Sequence, residues 1–114
     1  GQMRLWAKDL RGKTLAVTAI VQNSGGEEEN YHFTAILRAR SEDEVPLLYS
    51  FGVRTFSQKA LELNQGDKLT FEGEIENIKL KVAPEGKSIA VKVPSIGPVR
   101  VAGHIAFMLR DGKF

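Results

Sequence analysis

Apolar and polar residues alternate one for one along most of this chain. A period of two puts successive side chains on opposite faces of an extended strand, so the chain is committed to β-structure with little room for helix. Over residues 14–22, Leu15, Val17, Ala19 and Val21 alternate with Thr14, Ala16, Thr18, Ile20 and Gln22. Over residues 31–40, Tyr31, Phe33, Ala35, Leu37 and Ala39 share one face, and His32, Thr34, Ile36, Arg38 and Arg40 share the other. Residues 47–53 are apolar on both faces, as expected of a more central strand. Over residues 68–76, Leu69, Phe71, Gly73 and Ile75 face in, while Lys68, Thr70, Glu72, Glu74 and Glu76 face out.

The breaks between these runs are marked by turn chemistry. Leu10-Arg11-Gly12-Lys13 reads as a turn into the first strand. Asn23-Ser24-Gly25-Gly26-Glu27-Glu28-Glu29-Asn30 is rich in turn formers and reads as a flexible loop, and residues 41–46 read as another. Between residues 55 and 63 the period changes. Thr55 or Ser57 can cap a short helix with Phe56, Ala60, Leu61 and Leu63 as its apolar stripe. Gly66 then supplies the left-handed terminator, and Gly73 within a strand predicts a bulge or bend. Residues 77–83 and 88–93 are expected to pair as a hairpin around Pro84-Glu85-Gly86-Lys87. Residues 99–101 and 105–109 form a last strand or two, bent at Gly103, with apolar edges suited to self-association as a homo-oligomer.

Five strands with a helix between the third and fourth is the plan of the OB-fold, a small Greek-key barrel. We therefore expect an all-β, five-stranded OB-fold-like barrel over residues 4–114 as one domain. Gly1 and Gln2 precede Met3 and are set aside as a cloning remnant. The stretch LRGKTLAVTAIV, residues 10–21, resembles the first OB strand and its approach. LYSFGVRTFSQKALELNQGDKLTFEGEI, residues 48–75, is similar to the third strand, helix and fourth strand of bacterial single-stranded-DNA-binding proteins. In that family a helix leads into a Gly-Asp turn, an alternating apolar strand and a later Gly, matched here by Gly66-Asp67-Lys68-Leu69-Thr70-Phe71-Glu72-Gly73. The resemblance covers about half the chain. It implies binding of single-stranded DNA or RNA without catalysis. The family's exposed stacking rings are sparse here: the chain has one Trp, two Tyr and six Phe, most of them in core phase. Its acidic, glycine-rich tail is also missing.

Charge supports the same expectation. Residues 1–76 carry a net −3 and residues 77–114 a net +5. A basic side suits phosphate. Cysteine is absent, which removes disulfides, thiolate metal sites and thiol nucleophiles. No stretch has the apolar length of a membrane span, and Met3 is followed by Arg4, Trp6, Lys8 and Asp9 rather than by a signal sequence. A cytoplasmic protein without membrane partner, cofactor or metal is expected.

A groove for a single strand needs cations for phosphates and rings for bases. Arg38 and Arg40 project from one face about 7 Å apart. Tyr31 and His32 begin the same strand, Tyr49 lies on the next, and Trp6 precedes the barrel. Lys79, Lys81, Lys87 and Lys92 lie on or beside the expected hairpin. Each has a plainer role open to it: Trp6 as a plug in one barrel end, Tyr49 as core, the arginines as partners of Glu72 or Glu74, and the lysines as solvated guards of an edge. His32 and His104 have no metal-ligand neighbour at helical or strand spacing, and no Ser-His-acid arrangement is visible in the sequence. A protein-interaction barrel, acting as an assembly or inhibitor subunit with a protein partner, is the rival expectation.

Overall fold

A computed structural model describes residues 10–40 and 46–114. Among the described residues seven strands are formed: β1 (Thr14–Glu27), β2 (Asn30–Arg40), β3 (Pro46–Thr55), β4 (Lys68–Val82), β5 (Ile89–Val93), β6 (Gly97–Val101) and β7 (Gly103–Lys113). One turn of 3-10 helix, Gln58–Glu62, lies between β3 and β4. Five strands close a barrel in the order β1-β2-β3-β7-β4, with β4 returning to β1. All neighbours are antiparallel except β3 and β7, which run parallel. This is the expected five-stranded OB-fold-like barrel. β5 and β6 form a separate two-stranded hairpin between β4 and β7.

The inward phase of each barrel strand supplies the core. Phe33, Ala35, Phe51, Val53, Phe71, Ile75, Phe107 and Leu109 are buried together. Phe33 meets Phe71 and Phe114 edge-on at 5.1 and 5.2 Å, and Phe51 stacks on Phe107 at 5.5 Å. The small side chains of Ala19 and Ala35 leave room for these rings. Gly73 stands where the β4–β7 register slips, and a side chain there would press on Leu109. A second slip between Ile75 and Asn77 leaves Glu76 bulged and so keeps Ile78 inward and Lys79 outward.

Local chemistry sets the connections. Ser57 caps the 3-10 turn by accepting from the backbone N–H of Lys59. The Thr55 hydroxyl is used differently, donating to the carbonyl of Gly112 at 2.7 Å. Gly66 has φ +94 and ends the connection, as its lack of a Cβ allows.

Three sequence expectations are corrected. Residues 23–27 are strand, and the β1–β2 turn is only Glu28-Glu29, both at positive φ, as a tight hairpin turn requires. Residues 77–82 do not pair with 89–93: they extend β4 along β7, while β5 pairs with β6. Residues 103–109 are no free edge, because β7 is bonded to β3 on one side and β4 on the other. Of the 99–109 stretch expected to offer apolar edges, residues 99–101 lie on β6, which pairs with β5 alone among the described residues. Trp6 lies outside the described residues. No helix among the described residues is long and apolar enough to cross a membrane.

Candidate functional site

The outward residues of β2, β3, β7 and β4 fall into rows across one continuous surface. Arg38 is opposite Leu48, which lies beside His104, which is opposite Lys81. The next row is Ile36, Ser50, Ala106 and Lys79, and the one after it is Thr34, Gly52, Met108 and Asn77. With strands spaced about 4.8 Å apart, Arg38 and Lys81 are separated by about 14 Å along the sheet.

The β5–β6 hairpin lies across part of this surface. Val93 and Val101 pack on Ile36 and Leu48, with Ile20 and Val91 at the margin. Gln22 fastens the hairpin to β1 from a nearly inaccessible position, 2% exposed, at the slip in the β1–β2 register. Its Oε1 accepts from the Ser95 N–H at 2.9 Å and its Nε2 donates to the Ile20 carbonyl at 3.1 Å. The outer face of β2 is therefore covered at Ile36 and open at Arg38. A narrow cleft of about 150 Å³ remains between hairpin and barrel, lined by Thr34, Ile36, Ser50, Lys92 and His104.

Of the residues singled out by sequence, Arg38, Lys79, Lys81, Lys87 and Lys92 are exposed. None of the five forms an ion pair among the described residues. The plainer role open to Arg38, pairing with Glu72 or Glu74, does not form among the described residues: Arg38 is level with His104, while Glu72 and Glu74 lie opposite Lys113 and Arg110 at the other end of β7. The backbone of Arg40 pairs with Pro46 at the end of β2. Lys79 and Lys81 stand on the barrel wall rather than on a hairpin, Lys92 stands on β5, and Lys87 closes the turn before β5. Tyr31 and Tyr49 are in the inward phase, half-buried against the core, with Tyr49 stacked on Phe107 at 6.5 Å. They are not platforms for bases on the outer face. His32 is exposed and outward, opposite Arg54.

Sequence reasoning missed two features. The first is a pair: Ser50 Oγ and His104 Nε2 share a 2.7 Å hydrogen bond across the parallel β3–β7 ladder. No carboxylate among the described residues bonds the other ring nitrogen. Burial, and then the positive charge of Lys81, lower the His104 pKa below its ordinary 6.5. The ring therefore stays neutral at pH 7. The unfolded chain binds this proton more readily than the folded one. The His104 contribution to stability is full above about pH 6.5 and is lost as pH falls through the lowered value. In a proton NMR titration, Lys81→Ala is expected to move the His104 midpoint upward. An unmoved midpoint would remove the lysine from this environment.

The second is a larger cleft of about 520 Å³ at the other end of the surface. Its floor is the row of Thr34, Gly52 and Met108, and its wall is Phe56, which is 71% exposed. Phe56 continues the outward phase of Gly52 and Arg54, so alternation carried past the end of β3 is the signal that could have placed it outside, in place of the helical stripe expected from the sequence. Arg54 is paired with Glu76, and Arg110 with Glu74. Among the described residues no group of three or more metal-ligating side chains is formed. Compared with protein-family models, curated proteins and solved structures, the chain matches none. The functional assignment therefore rests on this geometry.

Proposed function

We propose that this barrel binds single-stranded nucleic acid, DNA in preference to RNA, without catalysis and in the cytoplasm. The observation that carries the reading is a set of exposed cations that form no ion pair among the described residues: Arg38 on β2 and Lys79 and Lys81 on β4, on rows that the hairpin covers at Ile36 and Leu48, and Lys92 on the hairpin itself. OB-fold barrels take oligonucleotides on the face of their second and third strands and between the flanking loops. In this chain the β5–β6 hairpin occupies the corresponding flank and narrows that face. A strand would run beside the hairpin, its phosphates over the cations. The two tyrosines are turned inward, so ring stacking contributes little on this half. Binding is then mainly electrostatic, weak in sequence preference and steep in salt dependence.

The direct test is a fluorescence-anisotropy titration with an oligothymidylate of about 30 nucleotides, longer than the ~4–16 that one such barrel covers, beside a duplex control. Saturable binding of the single strand alone, weakening as salt rises, is the expected result. No binding at low salt and micromolar protein would sink the reading. A protein-interaction barrel is the second reading, and the large cleft with Phe56 and Met108 at its surface favours it.

A further inference from the structure

The large cleft differs from the basic surface in both polarity and charge. Apolar atoms dominate its lining. Met108 is 41% exposed at its floor, its Sδ and Cε lying over Gly52, where a Cβ would meet them at 3.3 and 3.4 Å. Such a volume falls within the ~300–1,000 Å³ of sites that enclose compact apolar ligands. The surroundings are acidic. Glu29 and Asp111 line the cleft, Glu28 precedes Glu29 in the β1–β2 turn, and Glu27 ends β1 opposite the lining residue Asn30. None of these four forms an ion pair among the described residues. The two arginines of the lining are neutralised by Glu74 and Glu76. The hydrogen bond to Glu74, then the charges of Glu74, Asp111 and Glu76, raise the Arg110 pKa, so acidic groups converge on this end. Lys113 stands in the adjoining cleft on the far side of Phe56. With the Arg54–Glu76 and Arg110–Glu74 pairs cancelled, Glu27, Glu28, Glu29 and Asp111 remain beside the cleft against Lys113, a local negative excess that repels a phosphate backbone and attracts a cationic chain.

We propose that this cleft receives a bulky apolar side chain from a basic peptide segment of a protein partner. The apolar side chain enters between Phe56 and Met108, and its flanking lysines or arginines lie over Glu29 and Asp111. The site is separate from the nucleic-acid surface and does not depend on that reading. Apolar anchoring supplies affinity, while the acidic rim supplies orientation and rate.

A proton–nitrogen NMR titration of the full chain with the blocked peptide Lys-Lys-Trp-Lys-Lys tests this, with Glu-Glu-Trp-Glu-Glu and oligothymidylate as comparisons. Amide shifts are expected at residues 29–34, 52–56 and 108–111, and the basic peptide should bind at least about tenfold more tightly than the acidic one. Phe56→Ala with Met108→Ala should weaken it about tenfold or more; both side chains are exposed, so the fold survives their loss. Glu29→Gln with Asp111→Asn should weaken it at low salt and leave binding at high salt unchanged. Equal binding of the two peptides, shifts elsewhere on the barrel, or indifference to the Phe56 and Met108 changes would overturn the proposal. So would stronger shifts of the cleft amides by oligothymidylate. Nucleic acid is read at Arg38, Lys79 and Lys81, so failure at either site is distinguishable from failure at the other.

Discussion

Phe33→Ala is expected to lower the unfolding free energy by about 3–5 kcal/mol. The ring is fully buried, and it is the contact around which Phe71 and Phe114 are arranged edge-on. Its strand neighbours cannot collapse into the space, because Phe33 is paired with Ser24 on one side and Val53 on the other within a closed barrel. The loss combines apolar transfer, the cavity left behind and two aromatic contacts. Against a total stability of about 5–15 kcal/mol for a domain of this kind, the variant would be marginal at room temperature. Phe56→Ala provides the contrast, with an expected effect within about 0.5 kcal/mol, since that ring is exposed. Urea denaturation of the two variants measures both. A loss below about 1 kcal/mol for Phe33→Ala would mean that the barrel is not closed around that ring.

These two phenylalanines show how far alternation alone reaches. Phe33 belongs to a run whose inward phase is unbroken from Phe33 to Ala35, so its burial is legible in the sequence. Phe56 is one residue past a strand of the same kind, and the change toward helical spacing made it resemble the apolar stripe of a helix. Of the four residues expected in that stripe, Ala60 and Leu63 pack on the core while Phe56 and Leu61 are exposed, so only half of it forms. The β1–β2 hairpin was hidden for another reason. Gly25 and Gly26 read as loop, yet Gly25 lies under the His32 ring and Gly26, at φ +126, is pressed against the backbone of Asn30 and Tyr31. Glycine there serves close approach within a strand pair, while the turn falls to two glutamates in a conformation that composition does not announce.

Pairing partners were the other gap. Pro84-Glu85-Gly86-Lys87 is a turn, with the Lys87 N–H donating to the Pro84 carbonyl, but β4 is already committed to β7 on reaching it. A turn specifies a reversal and not the strand that follows it. The outward Ile36 was the clue: an apolar residue on a solvent face requires a cover, and the β5–β6 hairpin is that cover. The Ser50–His104 pair spans 54 residues and exists only because β3 and β7 run in parallel. No local pattern encodes such a contact.

Replacing Arg38, Lys79 and Lys81 together by alanine is expected to weaken single-strand binding on the order of 500-fold at 50 mM salt. The estimate follows from counterion release. Each phosphate contact on a single strand contributes about 0.7 to the slope of log affinity against log salt. If Arg38, Lys79, Lys81 and Lys92 each engage one phosphate, the slope is about −3, and raising salt from 50 to 200 mM costs the parent protein about 50-fold. Between 50 mM and a 1 M reference, where the electrostatic contribution vanishes, each contact is worth about eightfold, and three are removed. The variant should retain a slope near −0.7 from Lys92 alone. All three side chains are exposed and free of ion pairs among the described residues, so their removal leaves the barrel intact. Slope discriminates better than affinity here, because a misfolded variant would lose binding at every salt concentration without a change in slope. An unchanged slope in the folded variant would place the phosphates on some other face of the barrel and separate the rows of β2, β3, β7 and β4 from nucleic acid.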